Sequence, residues 1–271
     1  MLHKLLLFTL ILLLAGSALK AAAFSRPVLA SPVVVEEEIA QTILGATVRI
    51  SMYAPLTDEQ DNIQYVRENG KKAIQLTVND GLGTLTRRGD ELYIITHDHW
   101  LLLNPDSAAS LLRVEIHDVE QNLLLQLSGE QFMRLISYRD GGTMVLTAPD
   151  ELADLLTAVA PGDSTSTGRS DIVYLAYREP YEGQINVVAM LVQKETTYKG
   201  QPVYRLTSLN GEVVVEGNSG GGVLYNGKLI GNMWGTIMVE DLSAAGASSP
   251  QQSSFSLAAQ LPAEIGSQRS S

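Results

Sequence analysis

Short apolar runs recur along most of this chain, a few residues each, and turn-forming residues close nearly all of them. The first set runs through Thr47 to Tyr53, Ala73 to Val78, Thr84 to Arg87, Leu92 to Thr96, Leu111 to Ile116, Asn122 to Leu127 and Thr143 to Thr147. A second set follows at Ile172 to Tyr177, Gln184 to Val192, Val203 to Leu206, Gly222 to Tyr225 and Leu229 to Ile237, with Phe255 to Leu261 as a further candidate. Between them stand Asn79-Asp80-Gly81, Arg88-Gly89-Asp90, Asp140-Gly141-Gly142 and Asn226-Gly227. Many short strands separated by such turns predict an all-β protein built as a sandwich or a barrel. Helical spacing is confined to Pro149 to Ala158, where Asp150 is placed to cap a short helix. Val159 to Gly162 and the Ser/Thr-rich stretch after it read as a hinge between two halves.

The ends of the chain differ in character. Residues 24–40 are rich in Pro, Ala and Val and then acidic at Glu36 to Glu38, which reads as a solvated linker. Residues 263–271 read as a disordered tail. At the start, His3 and Lys4 precede an apolar run from Leu5 to Ala15, and Ala21 to Ala23 offer small residues for cleavage. That length suits a signal peptide over 1–23 and is short for a membrane span. The expected location is therefore outside the cytoplasm, secreted or extracytoplasmic. Contact with a membrane is expected only if the leader is retained as an anchor.

Composition narrows the chemistry. The 271 residues include no cysteine, which removes disulfide staples, thiol nucleophiles and Cys-rich zinc sites together. A formal charge of −11 with no basic run excludes nucleic acid as a partner class. His97 and His99 could open a metallo-hydrolase motif, but Trp100-Leu101-Leu102 follows in place of the Asp-His such motifs require. His117-Asp118 reads as a solvated strand end. No metal and no cofactor is expected.

The sharpest local signal is Gly217-Asn218-Ser219-Gly220-Gly221. A nucleophilic serine needs an exposed hydroxyl beside backbone N–H groups aimed at the developing oxyanion, and flanking glycines allow the tight path that aims them. The amides of Gly217 and Ser219 are the candidates. Upstream, Tyr93 to Thr96 leads into His97-Asp98-His99, and Asp140 stands at the entrance of the run Thr143 to Thr147. A base, an orienting carboxylate and then a serine in a glycine-rich loop is one of the chain orders of the Ser-His-Asp relay.

These motifs resemble those of the trypsin/chymotrypsin superfamily, most closely its bacterial cysteine-free branches. Gly81-Leu82-Gly83-Thr84-Leu85 resembles the family's G-x-G-x-[LV] strand, and Thr96-His97-Asp98-His99 resembles T-A-A-H. Asp140 through Leu146 resembles D-[IV]-A-[LV]-L, Gly217 to Val223 resembles G-[DN]-S-G-G-P-[VL], and Met233-Trp234-Gly235 resembles S-W-G. The likeness covers roughly 81–261. It implies two six-stranded antiparallel Greek-key barrels, over 41–155 and 156–262, with the site in the cleft between them. It also implies His99 as base, Asp140 as orienter and Ser219 as nucleophile of a serine endopeptidase acting on protein or peptide substrates.

In the same way the resemblance makes Met233, Trp234 and Gly235 a substrate-pairing strand and puts the floor of the P1 pocket near Val213, for an apolar or small side chain. Three departures stand out. Asn218 replaces the aspartate that trypsin pairs with a new N-terminus, which resembles the high-temperature-requirement and glutamyl-endopeptidase branches and implies no activation of that kind. Gly222 replaces proline, and Gly141-Gly142 follows Asp140 where the family prefers β-branched residues. No PDZ module is expected within these residues. Two readings stay open, an active endopeptidase and an inactive double barrel that binds peptides or a partner.

Overall fold

Strands carry this fold, and the way their two faces are covered explains the apolar runs of the sequence. A computed structural model describes residues 33–60, 62–98, 113–179, 183–212, 217–241 and 251–266. The expected signal peptide lies outside the described residues. Among those described, no helix is long and apolar enough to cross a membrane.

The first half comprises α1 (Glu37–Ala46), β1 (Thr47–Pro55), β2 (Tyr65–Glu68), β3 (Lys71–Ile74), β4 (Leu76–Arg88), β5 (Glu91–Thr96), β6 (Arg113–His117), β7 (Leu123–Leu127), α2 (Gly129–Leu135), β8 (Ile136–Arg139) and β9 (Met144–Thr147). Seven of these strands form one sheet in the order β7-β6-β1-β4-β5-β9-β8, while β2 and β3 make a separate hairpin. Its core gathers Val48, Ile50, Met52, Leu85, Ile94, Val114, Ile116, Phe132 and Leu146.

The second half comprises β10 (Ala160–Pro161), β11 (Ile172–Arg178), β12 (Ile185–Tyr198), β13 (Gln201–Ser208), β14 (Gly222–Tyr225), β15 (Lys228–Asp241), β16 (Gln251–Gln260) and α3 (Ala263–Gly266). Here the order is β10-β15-β14-β11-β12-β13-β16, and β16 pairs back onto β15, which closes β11 to β16 into a six-stranded barrel. Closure leaves no free edge among those six strands. Val173, Leu175, Met190, Val192, Tyr204, Leu206, Val223 and Met233 fill it. The all-β double-barrel architecture is the one expected from the chain.

A third cluster lies between the halves. Leu82, Ile95 and Val145 from the first half meet Ala176, Leu224 and Leu229 from the second, with Ile43 and Ala46 of α1 added at one side. Side chains alternate faces along a strand. In β5, Ile94 therefore enters the first core and Ile95 the interface; in β11, Leu175 enters the barrel and Ala176 the interface. Strands covered on both faces read as unbroken apolar runs instead of alternating ones.

Five local expectations are corrected. Asn79, Asp80 and Gly81, expected as a turn between two strands, run inside β4 and pair with Met52, Ser51 and Ile50 of β1. The acidic run opens helix α1 where a linker was expected: Glu37 and Glu38 occupy its first turn, where negative charge complements the helix dipole. Burial of Ile43 and Ala46 then fixes it to the interface. Helix α2 was not foreseen, although Ser128 and Gln131 spell a capping box that the structure realises in full. The helix expected over Pro149 to Ala158 is one turn of 3-10 helix, Asp150–Asp154, with Pro149 and not Asp150 at its N-cap. Finally, Ala263–Gly266 of the expected tail is helical, with Gly266 buried.

Candidate active site

Strand β5 ends in Thr96, whose hydroxyl donates to the Leu82 carbonyl at 2.5 Å. Immediately after it, His97 is fully buried and lies against the Trp234 ring, with centroids 4.6 Å apart and planes inclined at 45°. Asp98 is 7% exposed. Its carboxylate accepts from Arg139 Nε at 2.6 Å and from the Gly141 amide at 3.1 Å. His99, the expected base, lies outside the described residues, as does Val213.

Asp140 follows β8 directly and is held on every side. Its Oδ1 accepts from the amides of Gly142 at 2.8 Å and Thr143 at 2.7 Å. Its Oδ2 accepts from the Tyr138 hydroxyl at 3.0 Å. Its main-chain carbonyl accepts from Gln201 Nε2 at 2.5 Å, a contact that reaches across from the second half. The Gly141-Gly142 pair thus serves a turn in which the carboxylate caps two successive amides, a job aspartate does well. Burial, and then the bond to Asp140, pushes the Tyr138 phenol up to about 12, so it stays a donor at any physiological pH. Gln201, Tyr138 and Asp98 all help define this corner, and no sequence motif marked them for it.

The Ser219 loop is fixed from both sides. Asn218 is fully buried; its side-chain oxygen accepts from the Arg178 amide and its Nδ2 donates to the Arg178 carbonyl at 3.1 Å. One amide side chain thereby adds a rung to the end of β11. The Ser219 carbonyl accepts from the Leu82 amide at 2.8 Å, and the Ser219 hydroxyl donates to the Trp234 carbonyl at 3.1 Å. Gly220 has φ of 90°, and a Cβ there would collide with the Leu82 carbonyl and the Thr96 hydroxyl. Only glycine lets the loop pass so close to β4 and β5. At Gly222 a Cβ would strike Thr84, which explains the missing proline. Gly217 also has positive φ, 91°, and is buried beside Arg178.

The three residues assigned to a substrate-pairing strand separate. Met233 is a core residue: it is fully buried, its amide donates to the Gly221 carbonyl and its carbonyl accepts from the Gly220 amide, both at 2.8 Å. Its backbone is thus already engaged inside the fold, so the substrate-pairing assignment of Met233 is corrected. Gly235 is paired with Leu257 in the β15–β16 ladder. Trp234 sits where that ladder slips register, and its carbonyl is turned to Ser219.

Several bonds draw the corners together. Thr143, beside the Asp140 turn, accepts at its hydroxyl from Asn232 Nδ2 of β15 at 2.9 Å. Asp80 of β4 takes Arg49 at 2.7 Å and Arg178 of β11 at 3.2 Å, and accepts from the Ser51 hydroxyl at 2.6 Å. Burial alone would raise the Asp80 carboxyl, but the bonds from Ser51, Arg49 and Arg178 outweigh it and hold it below the ordinary carboxylate range. Among the described residues no three His, Cys, Asp or Glu side chains are grouped to hold a metal ion.

The two-barrel fold is shared with HtrA-type proteases of known structure. Among solved structures the chain is similar to a variant of the HtrA-type protease AlgW with a decapeptide, at a TM-score of 0.55 and 12% identity. That match covers 86% of this chain and 64% of the other, so the chain spans less than two thirds of that protein. AlgW itself with a decapeptide matches at a TM-score of 0.51 and 14% identity, over 82% of this chain and 63% of the other. No family model and no curated protein matches the sequence.

Proposed function

We propose that the chain is a serine endopeptidase acting outside the cytoplasm on protein or peptide substrates, with Ser219 as nucleophile, His99 as base and Asp140 as orienter. The observation that carries this reading is the Ser219 loop. Its hydroxyl reaches the carbonyl of a strand residue at the junction of the two halves, and Asn218 and Gly220 leave the loop no slack. In the reaction, His99 accepts the Ser219 proton as the oxygen attacks a peptide carbonyl, then returns it to the leaving amine. Asp140 steadies the histidine tautomer and the imidazolium. The Gly217 and Ser219 amides receive the oxyanion, each contributing on the order of 3 kcal/mol. The peptides bound to the AlgW structures fit a substrate of this class.

The test is fluorophosphonate labelling of the purified chain beside Ser219→Ala and His99→Ala. Label on wild type that both substitutions abolish supports the endopeptidase. A folded wild type that takes no label points to the peptide-binding module instead.

A further inference from the structure

We infer that the β2–β3 hairpin and the start of β4 form an apolar docking surface, apart from the Ser219 site, for an extended segment of the protein substrate; this rests on the endopeptidase reading of Ser219. Of the ten large apolar side chains exposed among the described residues, six fall in residues 63–78: Ile63, Tyr65, Val66, Ile74, Leu76 and Val78. Pairing groups them in space as well. Tyr65 faces Ile74 across the hairpin, while Leu76 and Val78 face Pro55 and Tyr53 of β1. Single exposed apolar residues are ordinary, whereas a contiguous group marks a surface that meets something. The hairpin sharpens the point. Strands β2 and β3 form a sheet of two by themselves, every residue of β2 is exposed, and neither strand contributes to a core cluster. A two-stranded ribbon gains little from folding alone and more from what it is laid against.

The course of β4 names the occupant. Side chains alternate along a strand, so Leu76, Val78, Asp80 and Leu82 share one face. Leu82 belongs to the cluster between the halves, and its amide holds the Ser219 carbonyl at 2.8 Å. Asp80 takes Arg178, whose Nη1 lies 3.3 Å from where a Cβ on Gly217 would stand. From Asp80 to Leu76 the strand runs about 13 Å, the length of roughly four extended residues. The patch thus continues the strand that holds the serine loop, and a chain lying across Ser219 meets it about four residues or more from the cleaved bond. Half-exposed Leu, Val, Ile and Tyr side chains take apolar partners. A folded protein keeps such segments inside, and an unfolded one presents them in extended form. A short peptide ends before the patch begins.

The experiment compares the full chain with a triple variant, Ile74→Ser, Leu76→Ser and Val78→Ser, on two substrates. One is casein, which has no stable fold, and the other is a hexapeptide centred on a bond that the chain cuts in casein. Fluorophosphonate labelling and urea unfolding midpoints are measured in parallel. The expected result is a KM for casein at least about tenfold higher in the variant, with kcat retained and kcat/KM for the hexapeptide unchanged. Tyr65→Ser, on the hairpin alone, should show the same split at smaller size and serves if the triple variant does not fold. An unchanged KM for casein in a folded variant overturns the docking surface and leaves the serine enzyme standing. A variant that keeps its casein kinetics but changes the sedimentation of the chain, or its binding to anionic lipid vesicles, gives the patch to a second copy or to a membrane and overturns the inference as well. A folded wild type without label overturns both readings.

Discussion

Asn218 and Arg178 are joined by a reciprocal pair of hydrogen bonds, the side-chain amide of one meeting the backbone N–H and C=O of the other. The pair ties the residue before Ser219 to the end of β11 with no charge and no free N-terminus. An aspartate there could accept from the Arg178 amide, but its second oxygen would face the Arg178 carbonyl. Asn218→Asp is therefore expected to cost about 3 kcal/mol or more at neutral pH, measured by urea unfolding, and to slow fluorophosphonate labelling. Burial favours the neutral acid, so the deficit should be full above the folded pKa and should vanish below the unfolded value of about 3.9. A variant as stable as wild type at pH 7 would refute the pairing.

Asp80 predicts how the whole protein responds to acid. Its folded pKa is depressed by Ser51, Arg49 and Arg178 against the opposing effect of burial. A depressed carboxylate stabilises the fold above its unfolded pKa, about 3.9, and loses that contribution as pH falls through the folded pKa. Asp80→Asn should lower stability at neutral pH and flatten the acid limb of the stability profile below about pH 4. Thermal unfolding from pH 2 to 7 reads both effects. Identical acid limbs in the two proteins would be the contrary result.

Asp98 and Asp140 meet successive amides of one turn, Gly141 and Gly142, yet should differ in role. Asp98 is ion-paired with Arg139, with side chains 8% and 31% exposed. Removing its charge should cost stability, about 2 kcal/mol, with most of kcat retained. Asp140→Asn should reduce kcat by two or more orders of magnitude with a smaller stability change. Steady-state kinetics and urea melts on both variants separate the roles.

Tyr138 is a positioning residue for Asp140. Tyr138→Phe is expected to lower stability by about 1 kcal/mol and to lower kcat with KM unchanged. A change in KM alone would place its effect on substrate binding instead.

Gly222 and Thr84 should behave as a coupled pair. A Cβ at Gly222 meets Thr84 and, at 2.7 Å, Leu229 Cδ1. Gly222→Ala should destabilise by about 1–3 kcal/mol through overpacking, and Thr84→Gly should recover part of that loss in the double variant. Simple additivity across the cycle would show that the two do not touch.

Most of the strands, three of the four turns and the motif around Ser219 were legible in the chain, because alternation, turn residues and the steric freedom of glycine are local properties; Asn79-Asp80-Gly81 reads locally as a turn, and only pairing with β1 holds it extended inside β4. Gly220 and the Ser128–Gln131 capping box belong to that class, although the helix the box opens is only seven residues long and shows no extended helical pattern. Helix α1 was not legible, since burial of Ile43 and Ala46 against the interface, rather than its acidic start, holds it in place. The environment of the site was likewise a tertiary matter. Met233 and Trp234 are neighbours in sequence, yet the register slip in β15 sends one into the barrel core and turns the carbonyl of the other to Ser219. Gln201 reaches the Asp140 turn only because strands distant in sequence are brought together. Side chains placed by long-range packing leave no local pattern, so the chain alone determined most of the strands and the serine loop, and the tertiary structure decided what surrounds them.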